Sequence, residues 1–111
     1  MDYKATIRYS RISPTKVRRL ADVVRGRTVG SGLAALRYLP HRGARLLEKA
    51  LRSAVANAED LGVRNVDSLV VSQAFVNSGP TLKRIQPHAR GMGFMIKKRM
   101  SHITVAVALP E

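Results

Sequence analysis

The sequence predicts an α+β protein in which a small body carries a long β-hairpin arm, and three observations predict it. Two-residue alternation of apolar and polar side chains occurs near both ends of the chain, and three helical stripes lie between. The stretch from Ser68 to Pro110 contains no Asp or Glu. Within it, Gly79 to Met100 holds three glycines, two prolines and six Lys or Arg, a poor composition for a core and a good one for a charged ribbon.

The 111 residues leave room for one modest core, so a single domain spanning 1–111 is expected. Lys and Arg number 20 against 7 Asp plus Glu, a formal charge of +13, while 45% of residues are apolar. That apolar share is too high for a disordered basic tail. A folded chain with so much unbalanced charge calls for a polyanionic partner, with nucleic acid ahead of an anionic membrane surface. The absence of cysteine excludes disulfides, thiolate metal sites and Cys nucleophiles. No apolar run reaches signal-peptide or membrane-span length, so a soluble intracellular protein is expected.

The elements follow in order. Tyr3, Ala5, Ile7 and Tyr9 alternate with Lys4, Thr6 and Arg8, as in a half-buried strand. Ser13-Pro14 offers an N-cap and a first-turn proline, Val17, Leu20, Ala21 and Val24 form one stripe, and Gly26 stops the helix. Lys16, Arg18, Arg19 and Arg25 fall off that stripe and face outward. Thr28 is placed to cap a shorter helix reaching Leu39, with Leu33, Leu36 and Leu39 on its apolar face. From His41 to Leu61, one stripe joins Leu47, Ala50, Leu51, Ala54, Val55, Ala58 and Leu61, and another joins Arg42, Arg45, Lys49 and Arg52. The basic stripe suits either RNA contact or an ordinary solvated face, because Glu48 interleaves it. Leu69 to Val76 is rich in β-branched residues. His102 to Leu109 reads as its partner, with Ile103, Val105, Val107 and Leu109 on one face.

If Val70 pairs near Leu109, the ladder turns near Arg90-Gly91. Ser78 to Arg90 is 13 residues, roughly 43 Å when extended. Such an arm would project beyond a compact body, whose radius of gyration would be about 13 Å. Periodicity alone leaves a disordered basic loop as the alternative, because an isolated two-stranded ribbon is marginal in water.

Several motifs resemble one family. Arg11-Ile12-Ser13-Pro14-Thr15-Lys16-Val17-Arg18 is similar to its opening helix, and Ser53-Ala54-Val55-Ala56-Asn57-Ala58-Glu59 to the end of its long helix. Phe75 to Arg84 is similar to the entry of its hairpin, Pro87-His88-Ala89-Arg90-Gly91 to the tip, and Lys98 to Val105 to the return strand. The family is the bacterial-type large-ribosomal-subunit protein L twenty-two. The resemblance implies three helices on a small three-stranded antiparallel sheet, a body at 1–78 and 102–111, and an arm at 79–101. It implies binding to large-subunit (23S-type) ribosomal RNA, neighbouring ribosomal proteins as partners, a role in subunit assembly, and a tip that reaches the wall of the peptide exit tunnel. It also implies macrolide response at the tip. The sequence departs from the family at Gln86, His88 and Met92, where Arg or Lys is usual, and at Gly93-Phe94-Met95, so the tip is more apolar.

The expected RNA-binding residues are Arg8, Arg11, Lys16, Arg18, Arg19 and Arg25 around the first helix, and Lys83, Arg84, His88, Arg90, Lys97, Lys98 and Arg99 on the arm. Arg90, Gly91 and Met92 are the expected tunnel-tip residues, with the nascent peptide a further contact there. Arginine suits this role because it pairs with phosphate and stacks on bases. No cofactor, metal, membrane or homo-oligomer is expected. Three dispersed histidines without cysteine make a poor metal site. Ser101 and His102 do not form a catalytic pair, because adjacent strand residues point apart. The expected setting is the cytoplasmic ribosome, and an organellar one also fits. The competing readings are a DNA-architectural protein with a basic β-arm, and an RNA-cleaving enzyme, for which the arm offers no carboxylates.

Overall fold

The computed structural model describes residues 2–87 and 93–109, with side chains for all of these except 67 and 82–98. The chain runs β1 (Asp2–Ser10), α1 (Pro14–Val24), α2 (Val29–Arg37), α3 (Arg42–Asp60), a 3-10 turn at Val66–Ser68, β2 (Val70–Pro87) and β3 (Gly93–Ala108). The strands form one antiparallel sheet in the order β1-β3-β2. The last strand in sequence is therefore the central one.

The core lies between one face of this sheet and the helices. Tyr3 on β1, Ile103, Val105 and Val107 on β3, and Val71, Ala74 and Val76 on β2 pack with Val17, Ala21 and Val24 of α1 and Leu47 and Leu51 of α3. Ala44, Ala50, Ala54 and Ala58 are fully buried. Their small side chains let the α3 backbone lie close to its neighbours. Each of the fully buried leucines contributes about 1.5–3 kcal/mol relative to exposure.

Most element ends follow their local chemistry. Pro14 opens α1 at the first turn, and Gly26 leaves it at φ 85°, a conformation glycine takes without a Cβ penalty. Ser13 occupies the N-cap position, but its side chain makes no capping bond. Thr28 caps α2 as expected, its Oγ1 accepting from the Ser31 N–H at 3.3 Å. α2 stops at Arg37, before the expected Leu39. Pro40 disfavours helical backbone at Leu39, and the Arg45 guanidinium donates to the carbonyls of Leu36, Arg37 and Leu39 at 2.8, 3.0 and 2.6 Å. Three residues expected on apolar faces are instead largely exposed: Leu61 follows α3 (66% exposed), Leu109 follows β3 (54%), and Tyr9 (59%), expected beside Tyr3, Ala5 and Ile7, is turned to the other face of the sheet by the β1 register shift and its φ of 58°.

The sheet carries three register shifts. On β1 it falls between Ile7 and Ser10, and on β2 between Val71 and Gln73 and between Ser78 and Thr81. The first β2 shift reverses the strand's phase. Val71 is buried, Ser72 and Gln73 are exposed, and Ala74 and Val76 are buried again. An extra residue in one strand has this effect on alternation.

Beyond the body the β2–β3 ladder continues without a third strand. Its described register runs from Val70↔Ala108 to Pro87↔Gly93. The molecule measures 63 × 25 × 18 Å, with a radius of gyration of 17.0 Å, against about 13 Å for a compact chain of this length. The hairpin accounts for the difference. The turn expected at Arg90-Gly91 lies outside the described residues.

Candidate nucleic-acid interface

The expected cations of the body sit on the outer surface, in three settings. Arg8, Arg11, Lys16 and Arg19 are exposed, and among the described residues their side chains have no hydrogen-bond or ion-pair partner. Arg18 donates through Nε to the Val76 carbonyl at 3.1 Å. Its two terminal amino groups stay available for a phosphate fork. Arg25 is more committed: one terminal nitrogen donates to Asp22 at 2.6 Å and the other to the Ala74 carbonyl at 2.5 Å.

The bonds of Arg18 and Arg25 to the Val76 and Ala74 carbonyls reflect the position of β2 at the edge of the sheet. An edge strand exposes unpaired carbonyls. Here the start of β2 is covered by backbone, with Val29 N–H donating to Leu69 O and Val71 N–H to Arg27 O, both at 2.8 Å. Farther along, Arg25 and Arg18 take the carbonyls of Ala74 and Val76. The opposite edge is covered in part by Asn57 of α3, which donates to the Lys4 carbonyl at 2.7 Å.

The basic stripe of α3 divides in the same way. Glu48, largely buried, accepts from Arg45 at 2.9 Å and from Arg52 at 2.7 Å. Arg42 and Lys49 are exposed beside them. Half of that stripe therefore works within the fold.

On the arm, the register sets Lys83 opposite Lys97, Leu82 opposite Lys98, Arg84 opposite Ile96 and Thr81 opposite Arg99. Directly opposed positions share a face and successive positions alternate, so the cations are distributed over both faces of the ribbon. Like charges directly opposite destabilise a strand pair. Arg99 is exposed. The side chains of Lys83, Arg84, Lys97 and Lys98, and the whole of His88, Arg90, Gly91 and Met92, lie outside the described residues.

The second face of the body sheet is a feature that the sequence reading missed. No described helix packs on it. Pairing sets Lys4, Ala106 and Gln73 in one row, Thr6, Thr104 and Phe75 in the next, and His102 beside Asn77 beyond them. Thr6 and Thr104 join their hydroxyls at 3.1 Å. Phe75 is 39% exposed and Tyr9 59%. The Tyr9 ring meets His102 edge-on with centroids 5.0 Å apart, and the Tyr9 N–H donates to His102 Nδ1 at 3.1 Å. Alternation showed Lys4, Thr6 and Arg8 on this side of β1. The reversal of phase in β2, which brings Phe75 to the same side, had no signal in the sequence.

Ser101 and His102 take separate partners: Ser101, fully buried, donates to the Ile12 carbonyl at 2.6 Å. Among the described residues, no three potential metal ligands come together, and no helix is long and apolar enough to cross a membrane.

Known proteins share this arrangement of residues. The chain is 56% identical over 104 residues to the large ribosomal subunit protein uL22 of Desulfosudis oleivorans, covering 94% of this chain and 90% of that one. It is 50% identical over 103 residues to the protein of that name from Caldicellulosiruptor saccharolyticus, covering 93% and 84%. It is also 50% identical over 107 residues to that of Desulfatibacillum aliphaticivorans, covering 96% and 98%. A family model described as ribosomal protein L22p/L17e matches residues 5–108, and with the sheet order, the helices and the long hairpin all in place, the chain belongs to the ribosomal protein L22p/L17e family.

Proposed function

We propose that this protein is a non-catalytic structural constituent of the large ribosomal subunit that binds large-subunit ribosomal RNA. The body, 1–78 and 102–111, sits on RNA through Arg8, Arg11, Lys16, Arg18 and Arg19, with Arg25 contributing less. The arm, 79–101, inserts between RNA segments and carries its tip to the wall of the polypeptide exit tunnel. Lys83, Arg84, Lys97, Lys98 and Arg99 neutralise phosphates on both sides of the ribbon. At the tip, His88, Arg90, Gly91 and Met92 contact RNA or the nascent peptide. The protein works on the cytoplasmic ribosome beside neighbouring ribosomal proteins, and its early docking supports subunit assembly.

The observation that carries this reading is the unsupported ladder with Lys83 opposite Lys97. A ribbon that brings like charges together, away from any core, gains stability only when a polyanion surrounds it. Binding by phosphate neutralisation and shape needs little base reading. Competition at fixed salt tests the proposal: deproteinised large-subunit ribosomal RNA should displace duplex DNA from the protein, and the reverse order of affinity would favour the DNA-architectural reading.

A further inference from the structure

Of the cations assigned above, Arg8 lies on β1 on the open face of the sheet, and the others lie around α1 and on the arm. None of them uses the aromatic groups on the open face of the sheet. We infer that this face is a second RNA surface, a stacking platform for an unpaired stretch of RNA, with Phe75 as its principal contact and Tyr9 and His102 beside it. The inference rests on the RNA-binding reading above and adds to it a surface and the kind of RNA it takes.

The shape of the face carries the argument first. The central strand carries small residues, Thr104 and Ala106, both buried beneath taller ones on the flanking strands: Lys4, Thr6 and Arg8 on β1, and Gln73, Phe75 and Asn77 on β2. What the face offers to a partner is therefore the exposed part of the Phe75 ring, with Lys4, Arg8 and Tyr9 along the other side. Phe75 and His102 occupy diagonal positions on adjacent strands, roughly 7–8 Å apart in such a pair. Aromatic rings at that spacing on an open antiparallel sheet can each take one base. Stacking tolerates any sequence, since every base has a π-face.

The chemistry of the face agrees. Lys4 and Arg8 are exposed on one wall, and Arg11 follows the strand. Among the described residues the one acid on this side, Asp2, lies at the end of β1 away from the arm, opposite Ala108. Because Nδ1 of His102 accepts from Tyr9, the neutral imidazole carries its proton on Nε2 and can donate to a base or phosphate. Gly79 keeps that ring edge open, since a Cβ there would stand 3.3 Å from His102 Cε1 and Nε2.

The backbone supplies an independent observation. Tyr9 has φ 58° and is the only non-glycine residue of positive φ among those described. A bulky side chain in that region is strained by about 1–3 kcal/mol, and such strain gathers at binding sites. Here it holds a largely exposed ring against His102, on the face that no helix covers.

A protein partner would ask for a broader apolar patch than Phe75 and Tyr9 provide, and the charge of this face favours phosphate. The test uses the full-length chain with two labelled probes, a 12-nucleotide oligouridine and an RNA duplex of equal length. Phe75→Leu should weaken oligouridine binding about fivefold or more with an unchanged salt slope, and leave duplex binding within twofold. Ultraviolet cross-linking of the unaltered protein to large-subunit ribosomal RNA, read by mass spectrometry, should give adducts on Phe75 or Tyr9, and this measurement does not depend on a variant folding. Full oligouridine affinity in a folded Phe75→Leu variant overturns the inference. So does cross-linking of this face only to protein in reconstituted particles. If the unaltered protein still prefers ribosomal RNA to duplex DNA in that case, the platform fails while the broader function stands.

Discussion

Gly32 and Gly43 both lie buried in helices, and a methyl group added to each would meet different surroundings. A Cβ on Gly32 would stand 3.6 Å from Leu51 Cδ2 and 3.7 Å from Val24 Cβ, which is ordinary contact. A Cβ on Gly43 would stand 2.9 Å from Leu20 Cδ1 and 3.3 Å from Ile12 Cδ1, so the ends of those two side chains would have to shift. Gly32→Ala should therefore raise stability by about 0.5–1 kcal/mol through helix propensity. Gly43→Ala should raise it by less, because moving Leu20 and Ile12 offsets part of the same gain. Urea unfolding of the two variants checks the difference. The sequence held nothing to tell the two glycines apart, since what decides is the distance to residues elsewhere in the chain. The same limit applies to the arginines of α1. Their outward position was legible from the stripe, while the bonds of Arg18 and Arg25 to β2 carbonyls depend on a strand some 50 residues later.

Among the elements, α2 is the one most dependent on another for its end. Arg45 bonds two of its C-terminal carbonyls, Leu36 and Arg37, and that of Leu39 just beyond, and ties them to Glu48. The last carbonyls of a helix have no partner in its regular ladder. Arg45→Met should cost about 1–2 kcal/mol. Arg45→Lys should recover less than half of that, because one ammonium cannot hold the carbonyls and Glu48 together as the two terminal nitrogens of the guanidinium do. Chemical denaturation of both variants measures the difference. The helices and strands themselves were readable because each has a clean period. Val17, Ala21 and Val24 were placed on the core side of α1, and Ile103, Val105 and Val107 on that of β3, and all six are buried. The bulges were not readable. A bulge is a mismatch between two strands, and neither strand announces it alone. Hence Ser72 and Gln73 interrupt a segment that composition alone treats as continuous.

The arm is a property of the whole molecule, and its charge dominates what the protein can bind. Deleting residues 83–99 removes six cations, Lys83, Arg84, Arg90, Lys97, Lys98 and Arg99. The slope of log affinity for ribosomal RNA against log salt should fall in magnitude by about 4–5. The body should keep its cooperative thermal transition, because it has its own buried cluster, built from all three helices and the body parts of the three strands. Filter binding across a salt series and a melting curve test the two statements separately. The existence of this arm was legible in the acid-free stretch and its prolines. Its continuation as a ladder to Pro87↔Gly93 was not, since a loop of the same composition would read alike.

The order of the strands has a further consequence for how this chain comes into being. β1 emerges first from a synthesising ribosome and β2 much later, yet the two are joined only by β3, the final strand to appear. Until that closing segment is released, the half-made product holds two separated ribbons and helices with nothing to roof. Its sheet is completed in a single late event, and a chain ending before Ile103 lacks the strand that joins β1 to β2.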